Sequence, residues 1–329
     1  MTADTDISSE ADMPDRRGRP GRLPLEDSAR ITRRITAIAV CVGLVLAIGK
    51  WFVWQESHSV GILSSLVHSA LDLFGAISSF FAVRYAARPP DGDYRFGRGK
   101  AESFSAVFQI CLIVLGAFHL IEEVFHRISH PEVLTQGGFA IAMMLVFVAL
   151  TAWLLIAQSW AIRATGSIAV RGDRAHYLAD LFANVFVILG IALSSFTPFI
   201  WADAAVGGLM ALWLLWTAYK IARLAWAQLM DQELNTEERA LITRLALQDP
   251  QIKAVHDLRT RASGPHIHIQ MRLDMDDTIS LSDTHDIVLA AEQRMMAAFQ
   301  AADILIYPHP IGCEHAHGNE HFHNDSHAH

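Results

Sequence analysis

Two histidine–aspartate pairs with identical spacing sit in apolar surroundings: His68 and Asp72 in SLVHSALDLFGA, and His176 and Asp180 in RAHYLADLFANV. Residues at i and i+4 of a helix project from one face about one turn apart, so each pair presents an imidazole and a carboxylate to a common point. Two such helices side by side offer two nitrogens and two oxygens, a four-coordinate set of the kind that Zn2+ takes. Magnesium and manganese prefer more oxygens and six-coordination, whereas affinity order alone leaves Co2+, Ni2+ and Cu2+ open. An aspartate in hydrocarbon costs roughly 2.5–3.5 kcal/mol on insertion scales unless it is paired or ligating. One pair alone reads equally well as an aspartate bonded to its own histidine or to a nearby serine. Two pairs in separate segments favour metal ligation. Binding requires ionised carboxylate and neutral imidazole, so metal and protons compete for the site. An unperturbed histidine titrates near pH 6.5, which makes His68 and His176 the expected proton carriers.

The elements that must position these residues are membrane spans. Hydrophobic residues make up 52% of the 329 and charged residues only 18%, with a mean hydropathy of +0.27, too apolar for an ordinary soluble domain. A span of roughly 30 Å of hydrocarbon takes about twenty mainly apolar residues. Six runs qualify, at 35–54, 60–85, 104–122, 139–162, 176–196 and 199–221. The two His–Asp pairs fall in the second and fifth. Arg16, Arg17, Arg19, Arg22, Arg30, Arg33 and Arg34 precede the first run. Arg84, Arg88, Arg95, Arg98 and Lys100 follow the second, and Arg163, Arg171 and Arg174 follow the fourth. The opposite connections carry little beyond Arg127. The positive-inside bias therefore predicts both termini in the cytoplasm.

The remaining segments are polar. Residues 1–30 mix Asp, Glu, Arg, Pro and Gly without a period and read as a disordered extension, with no secretory pattern at the start. Residues 31–230 form the expected transmembrane domain and 231–312 a cytoplasmic α+β domain. In the latter, NTEERALITRLALQD predicts a helix entered at Asn235 or Thr236, with Glu238 near a capping-box position. KAVHDLRTRASG and PHIHIQMRLDMD predict strands around Ser263-Gly264-Pro265, TISLSDTHDIVLAAEQRMMAAF a second helix, and ADILIYPHP a third strand. Residues 313–329 are a flexible tail whose His315, His317, His321, His323, His327 and His329 suit loose metal capture. Cys41, Cys111 and Cys313 are too scattered for a disulfide framework or a CxxC knuckle. The net charge of −8 gives no support to a nucleic-acid partner. Asp203 reads as a helix N-terminal carboxylate, and His119, Glu122, Glu123 and His126 as a solvated interfacial face or an exit site.

From about residue 35 to 310 the chain resembles the cation diffusion facilitator family, above all its bacterial ferrous-iron and zinc efflux members. The resemblance rests on HSALDL, FGRGKAES, HYLAD and VHDLRTRASGP. It implies a homodimer of six-span protomers, each with a ferredoxin-like cytoplasmic domain, exchanging cytosolic divalent metal for protons by alternating access across a bacterial inner membrane. The family's transport ligands fall on His68, Asp72, His176 and Asp180. Many members have aspartate where this chain has His68, and the double HxxxD form goes with zinc preference over iron. A second family site, in the loop after span two, falls on Asp91, Tyr94 and Arg98, where the arginine would repel a metal. A third, at the cytoplasmic dimer interface, falls on His256, Arg272, His285, Tyr307 and His309. This leaves at most a reduced zinc site of His256, His285 and His309, with His266 and His268 as substitutes. Lys100 and Asp231 match a pair that joins span three to the soluble domain. The competing functions are a non-transporting membrane zinc sensor or scaffold, and an exporter with iron, cobalt or cadmium as main substrate. An intramembrane metalloenzyme is disfavoured, since four protein ligands close the shell and no HExxH occurs.

Overall fold

The computed structural model describes residues 19–57, 60–129, 138–194 and 200–312. Six long helices come first: α1 (Leu25–Ser57), α2 (Val60–Ala86), α3 (Ala101–Ser129), α4 (Gly138–Thr165), α5 (Ile168–Ser194) and α6 (Ile200–Leu229). Among the described residues, four carry stretches long and apolar enough to cross a membrane: Leu25–Gln55, Leu66–Ala86, Ala101–Glu122 and Leu145–Thr165. The first half of α5 carries Arg171, Asp173, Arg174, His176 and Asp180.

Two apolar clusters share α5. One joins Ile35, Ala39, Val42 and Leu46 of α1 to Ala76, Leu154, Ala161, Val170 and Tyr177. The other joins Ala106, Ile113 and Ala117 of α3 to Ala175 and Ala179 of α5 and to Leu214, Ala218 and Ala225 of α6. Small residues along these seams let backbones approach closely, which in hydrocarbon is a main source of helix–helix attraction. Other bulky residues, among them Phe74, Phe104, Phe118, Trp160 and Trp216, are exposed on the outside of the bundle.

The soluble part has α7 (Thr236–Ala246), β1 (Ile252–Ser263), β2 (His266–Met275), α8 (Leu281–Ala298) and β3 (Ala302–Pro310). The sheet order is β1-β2-β3, antiparallel between β1 and β2 and parallel between β2 and β3. The expected two helices on a three-stranded sheet are therefore present. Alternation on the central strand puts Ile267, Ile269, Met271, Leu273 and Met275 against Ile242 of α7 and Ile287, Ala291 and Met295 of α8. α7 starts where its cap predicts, with the Asn235 side chain accepting from the Glu238 N–H at 2.8 Å.

The described end of the N-terminal extension is held in place. Of the expected extension over residues 1–30, the described residues 19–22 dock on the soluble domain and α1 begins at Leu25. Arg22 is buried, donates to the Ala298 carbonyl at 2.9 Å and lies 4.1 Å from the Phe299 ring centre. Arg19 pairs with Glu237 at 2.7 Å. Burial pushes the Glu238 carboxyl upward while Arg19 and Arg22 pull it back. Composition marked this stretch as polar, but a guanidinium satisfied by a helix-end carbonyl, an aromatic face and a carboxylate is stable when buried.

The loop from α2 to α3 makes a second junction. Gly99 lies against the Ser263–Gly264 turn so closely that a Cβ there would fall 1.9 Å from the Ser263 carbonyl oxygen. Gly264 takes φ +58 and its own Cβ would meet the Gly99 carbonyl oxygen at 2.7 Å. Two glycines are required where backbone meets backbone. Alongside, Lys100 Nζ lies 3.0 Å from Asp231 and donates to the Leu229 carbonyl at 3.2 Å, while Arg261 pairs with the same aspartate at 3.2 Å. Gly99→Ala should lower the thermal unfolding midpoint of the full-length protein by the equivalent of about 1–3 kcal/mol, the usual range for overpacking. Gly92→Ala, where a Cβ meets nothing within 4 Å, should leave it unchanged.

Candidate metal centre

α2 and α5 run antiparallel past one another, and this sets the pairing of their polar residues. His68 Nε2 lies 3.0 Å from Asp180 Oδ1, and His176 Nε2 lies 2.7 Å from Asp72 Oδ1. Within each helix the His–Asp separation is longer, 3.8 Å from His68 to Asp72 and 3.8 Å from His176 to Asp180. Each histidine therefore bonds the aspartate of the other helix more closely than its own. The imidazoles, with ring centres 6.4 Å apart, flank the carboxylates. Atoms of His68, Asp72 and Asp180 all lie within 4.8 Å of one another. His176 completes the set through its contacts to both carboxylates. Donors held at about 2.0–2.1 Å around a tetrahedral ion stand roughly 3.3 Å apart, and the four separations straddle that value. His68 keeps a side-chain exposure of 43% against 5% for His176, so one edge of the set is open and the other sealed.

Residues not singled out in the sequence support this set. One turn before His176, Asp173 is buried and accepts from Gln158 Nε2 at 2.7 Å and Gln109 Nε2 at 3.3 Å. Gln109 also donates to Ser79 at 3.1 Å, and Ser79 bonds Ser105 at 3.1 Å. The network fixes α5 against α2, α3 and α4 where His176 emerges. Nearer the start of α5, the Ser167 hydroxyl donates to Glu102 at 2.5 Å. Lys50 of α1 donates to Ser69, the neighbour of His68, at 2.6 Å. The available signals were a lysine inside the apolar run LAIGKWFVW and an aspartate at i−3 from a histidine.

The other expected metal positions take different roles. Arg98 is ion-paired with Asp91 and stacks 4.2 Å over the Tyr94 ring, so the three loop positions are bound to one another. His119 Nδ1 faces Glu122 at 3.9 Å with both side chains exposed. The side chains of Glu123, His126 and Asp203, together with Cys313 and the histidine tail, lie outside the described residues; Cys41 and Cys111 are free and exposed.

On the sheet face opposite the apolar core, His256 Nε2 lies 3.1 Å from Asp274 and His309 Nδ1 lies 3.7 Å from it. Arg272 joins them, 3.7 Å from Asp274 and 3.3 Å from Asp257. A bulge between His256 and Arg259, with Asp257 at φ 50, aims Asp257 at this arginine. His285 does not join the expected trio. It is exposed on α8, the helix that packs through Ile287 on the other face of the sheet. Asp274 stands in its place. His266 and His268 serve the domain junction: His266 faces Gly97, and His268 lies 5.7 Å from the Phe96 ring centre and 3.1 Å from Asp303.

Comparison with known proteins agrees with this architecture. Residues 36–230 match the cation efflux transmembrane domain and residues 234–311 the cation efflux protein cytoplasmic domain. The chain belongs to the cation efflux family. Among its relatives, the cation-efflux pump FieF of Shewanella oneidensis is 34% identical over 84% of this chain and 93% of its own. FieF of Serratia proteamaculans is 34% identical over 86% and 94%, and FieF of Yersinia enterocolitica 34% identical over 88% and 97%. This family member is an integral membrane cation efflux transporter with an α+β dimerisation domain.

The transporter's domain junction is acid-sensitive by construction. Burial pushes His266 below the ordinary imidazole range, assisted by His268 and opposed by Asp303; burial also lowers His268, against its bond to Asp303. A histidine whose folded value is depressed takes up its proton first in the unfolded chain. Its stabilising share is full above about pH 6.5 and is lost as pH falls from there toward the depressed folded value. Between pH 7.5 and 5.5, His266→Gln should lose less thermal stability than wild type. An identical slope in the two proteins would contradict this account.

Proposed function

We propose that the chain exports Zn2+ from the cytoplasm in exchange for protons, with His68, Asp72, His176 and Asp180 as the transport ligands. The observation that carries this reading is the convergence of two imidazoles and two carboxylates from α2 and α5 on one point inside an apolar bundle. A borderline-soft, four-coordinate ion suits that mixed donor set. In the cycle, a site open to the cytoplasm loses protons and binds Zn2+; a site open to the other side releases the ion and takes protons. The carrier alternates between the two openings as a homodimer in a bacterial inner membrane, with residues 31–230 spanning it, residues 231–312 and both termini cytoplasmic, and the tail gathering ions. A cytoplasmic Zn2+ would be held by His256, His309 and Asp274 against the charge of Arg272. Transport does not require it in this scheme.

Reconstituted protein tests the proposal. In proteoliposomes, Zn2+ uptake with coupled proton counterflow should exceed that of Fe2+, Co2+, Cd2+ and Mn2+ measured side by side. Asp180→Ala should reduce Zn2+ flux at least a hundredfold, and His68→Ala should impair it. Uptake without proton movement would refute the exchange. Retained zinc binding with no flux in any direction would favour a sensor or scaffold, and a larger iron, cobalt or cadmium flux would reassign the substrate.

A further inference from the structure

Lys50 is a cation in the apolar stretch LAIGKWFVW of α1, an element that contributes none of the four ligands. A lysine in such a segment is expensive unless its charge is used. Its ammonium donates to Ser69 Oγ at 2.6 Å. Ser69 is buried, follows His68 directly and precedes Asp72 by three residues, so it lies on the site's side of α2. The Coulombic partners of Lys50 are Asp72 and Asp180, the two carboxylates of the site. Neither Coulombic contact is a ligand bond, because the ammonium has no lone pair to offer a metal.

With both aspartates ionised and both imidazoles neutral, the empty site holds two negative charges. The ammonium cancels one of them. An arriving divalent cation then meets a fixed positive charge nearby in surroundings that screen it poorly. We propose that Lys50 is the resident counter-cation of the transport site: its ammonium, anchored on Ser69, stabilises the empty carboxylate pair and weakens divalent-cation binding enough for release. This inference rests on the assignment of His68, Asp72, His176 and Asp180 as the transport ligands.

The test is zinc affinity of the full-length protein in detergent, measured with zinc chloride against a fluorescent chelator at fixed pH. The binding component absent from Asp180→Ala defines the site and removes the contribution of other histidines. Lys50→Met, nearly the same length without charge, should tighten that component at least tenfold and slow zinc release into zinc-free buffer. Lys50→Gln should tighten it in the same direction, and supplies the comparison if the methionine variant is not recovered. Lys50→Arg should stay within threefold of wild type. Neutral variants that bind within twofold of wild type, or more weakly, overturn the inference. So does equal tightening in the arginine variant, which would mark a packing effect. If Asp180→Ala removes no component, the site assignment itself fails, a result distinct from failure of the lysine's role.

Discussion

Crossed pairing of imidazole and carboxylate between α2 and α5 is the constraint around which the membrane half is arranged. Both aspartates lie within the helical bundle, and an unpaired carboxylate there would be neutralised or exposed to water. Antiparallel packing solves the problem by bringing His68 level with Asp180 and His176 level with Asp72. The same bonds gather two imidazoles and two carboxylates at one point. Holding that register takes rigidity from elsewhere, and the buried Asp173–Gln109–Gln158 network provides it one turn away. Hydrogen bonds in a low-dielectric interior are strong when fully made and costly when broken, so α5 has little freedom to slide.

The soluble domain is joined to the same bundle through short-range contacts at three helices. Arg22 fastens the start of α1 to the end of α8, Gly99 seats the approach to α3 on the β1–β2 turn, and Lys100 with Arg261 closes on Asp231 at the end of α6. These contacts differ in kind. The glycine contact is steric and tolerates no side chain, whereas the ion pairs are partly exposed and individually weak. Position is therefore set by backbone approach, with charge supplying register.

Much of this was legible in the sequence because it is periodic or local. Apolar run length gave the spans, alternation gave β2 and its buried face, and Asn235 marked the start of α7. Both HxxxD pairs were visible as charge in the wrong place. What stayed hidden depends on residues far apart in the chain. Arg22 looks like one more arginine of a polar leader until Phe299 and the Ala298 carbonyl are brought to it. Asp274 reads as a surface strand residue until β1 and β3 deliver His256 and His309 to either side. Within one protomer His285 lies apart: its amphipathic helix commits Ile287 and Ala291 to the core and leaves the histidine facing solvent, on the other side of the sheet from His256 and His309.

The chain has 17 histidines, and their chemistry follows from what stands opposite each one rather than from their number. In the bundle, His68 and His176 face carboxylates in apolar surroundings, each hydrogen-bonded to the aspartate of the other helix. Under the α2–α3 loop, His266 and His268 face a glycine and an aromatic edge, so they act as neutral packing groups, with Asp303 tethering one of them. On the outer sheet face, His256 and His309 meet an aspartate that already has Arg272 beside it. A permanent guanidinium occupies part of the negative field that a metal would need, and unlike a proton it cannot be displaced. The two clusters therefore differ in what their carboxylates face: imidazoles, which can give up a proton, in the bundle, and a permanent cation on the sheet.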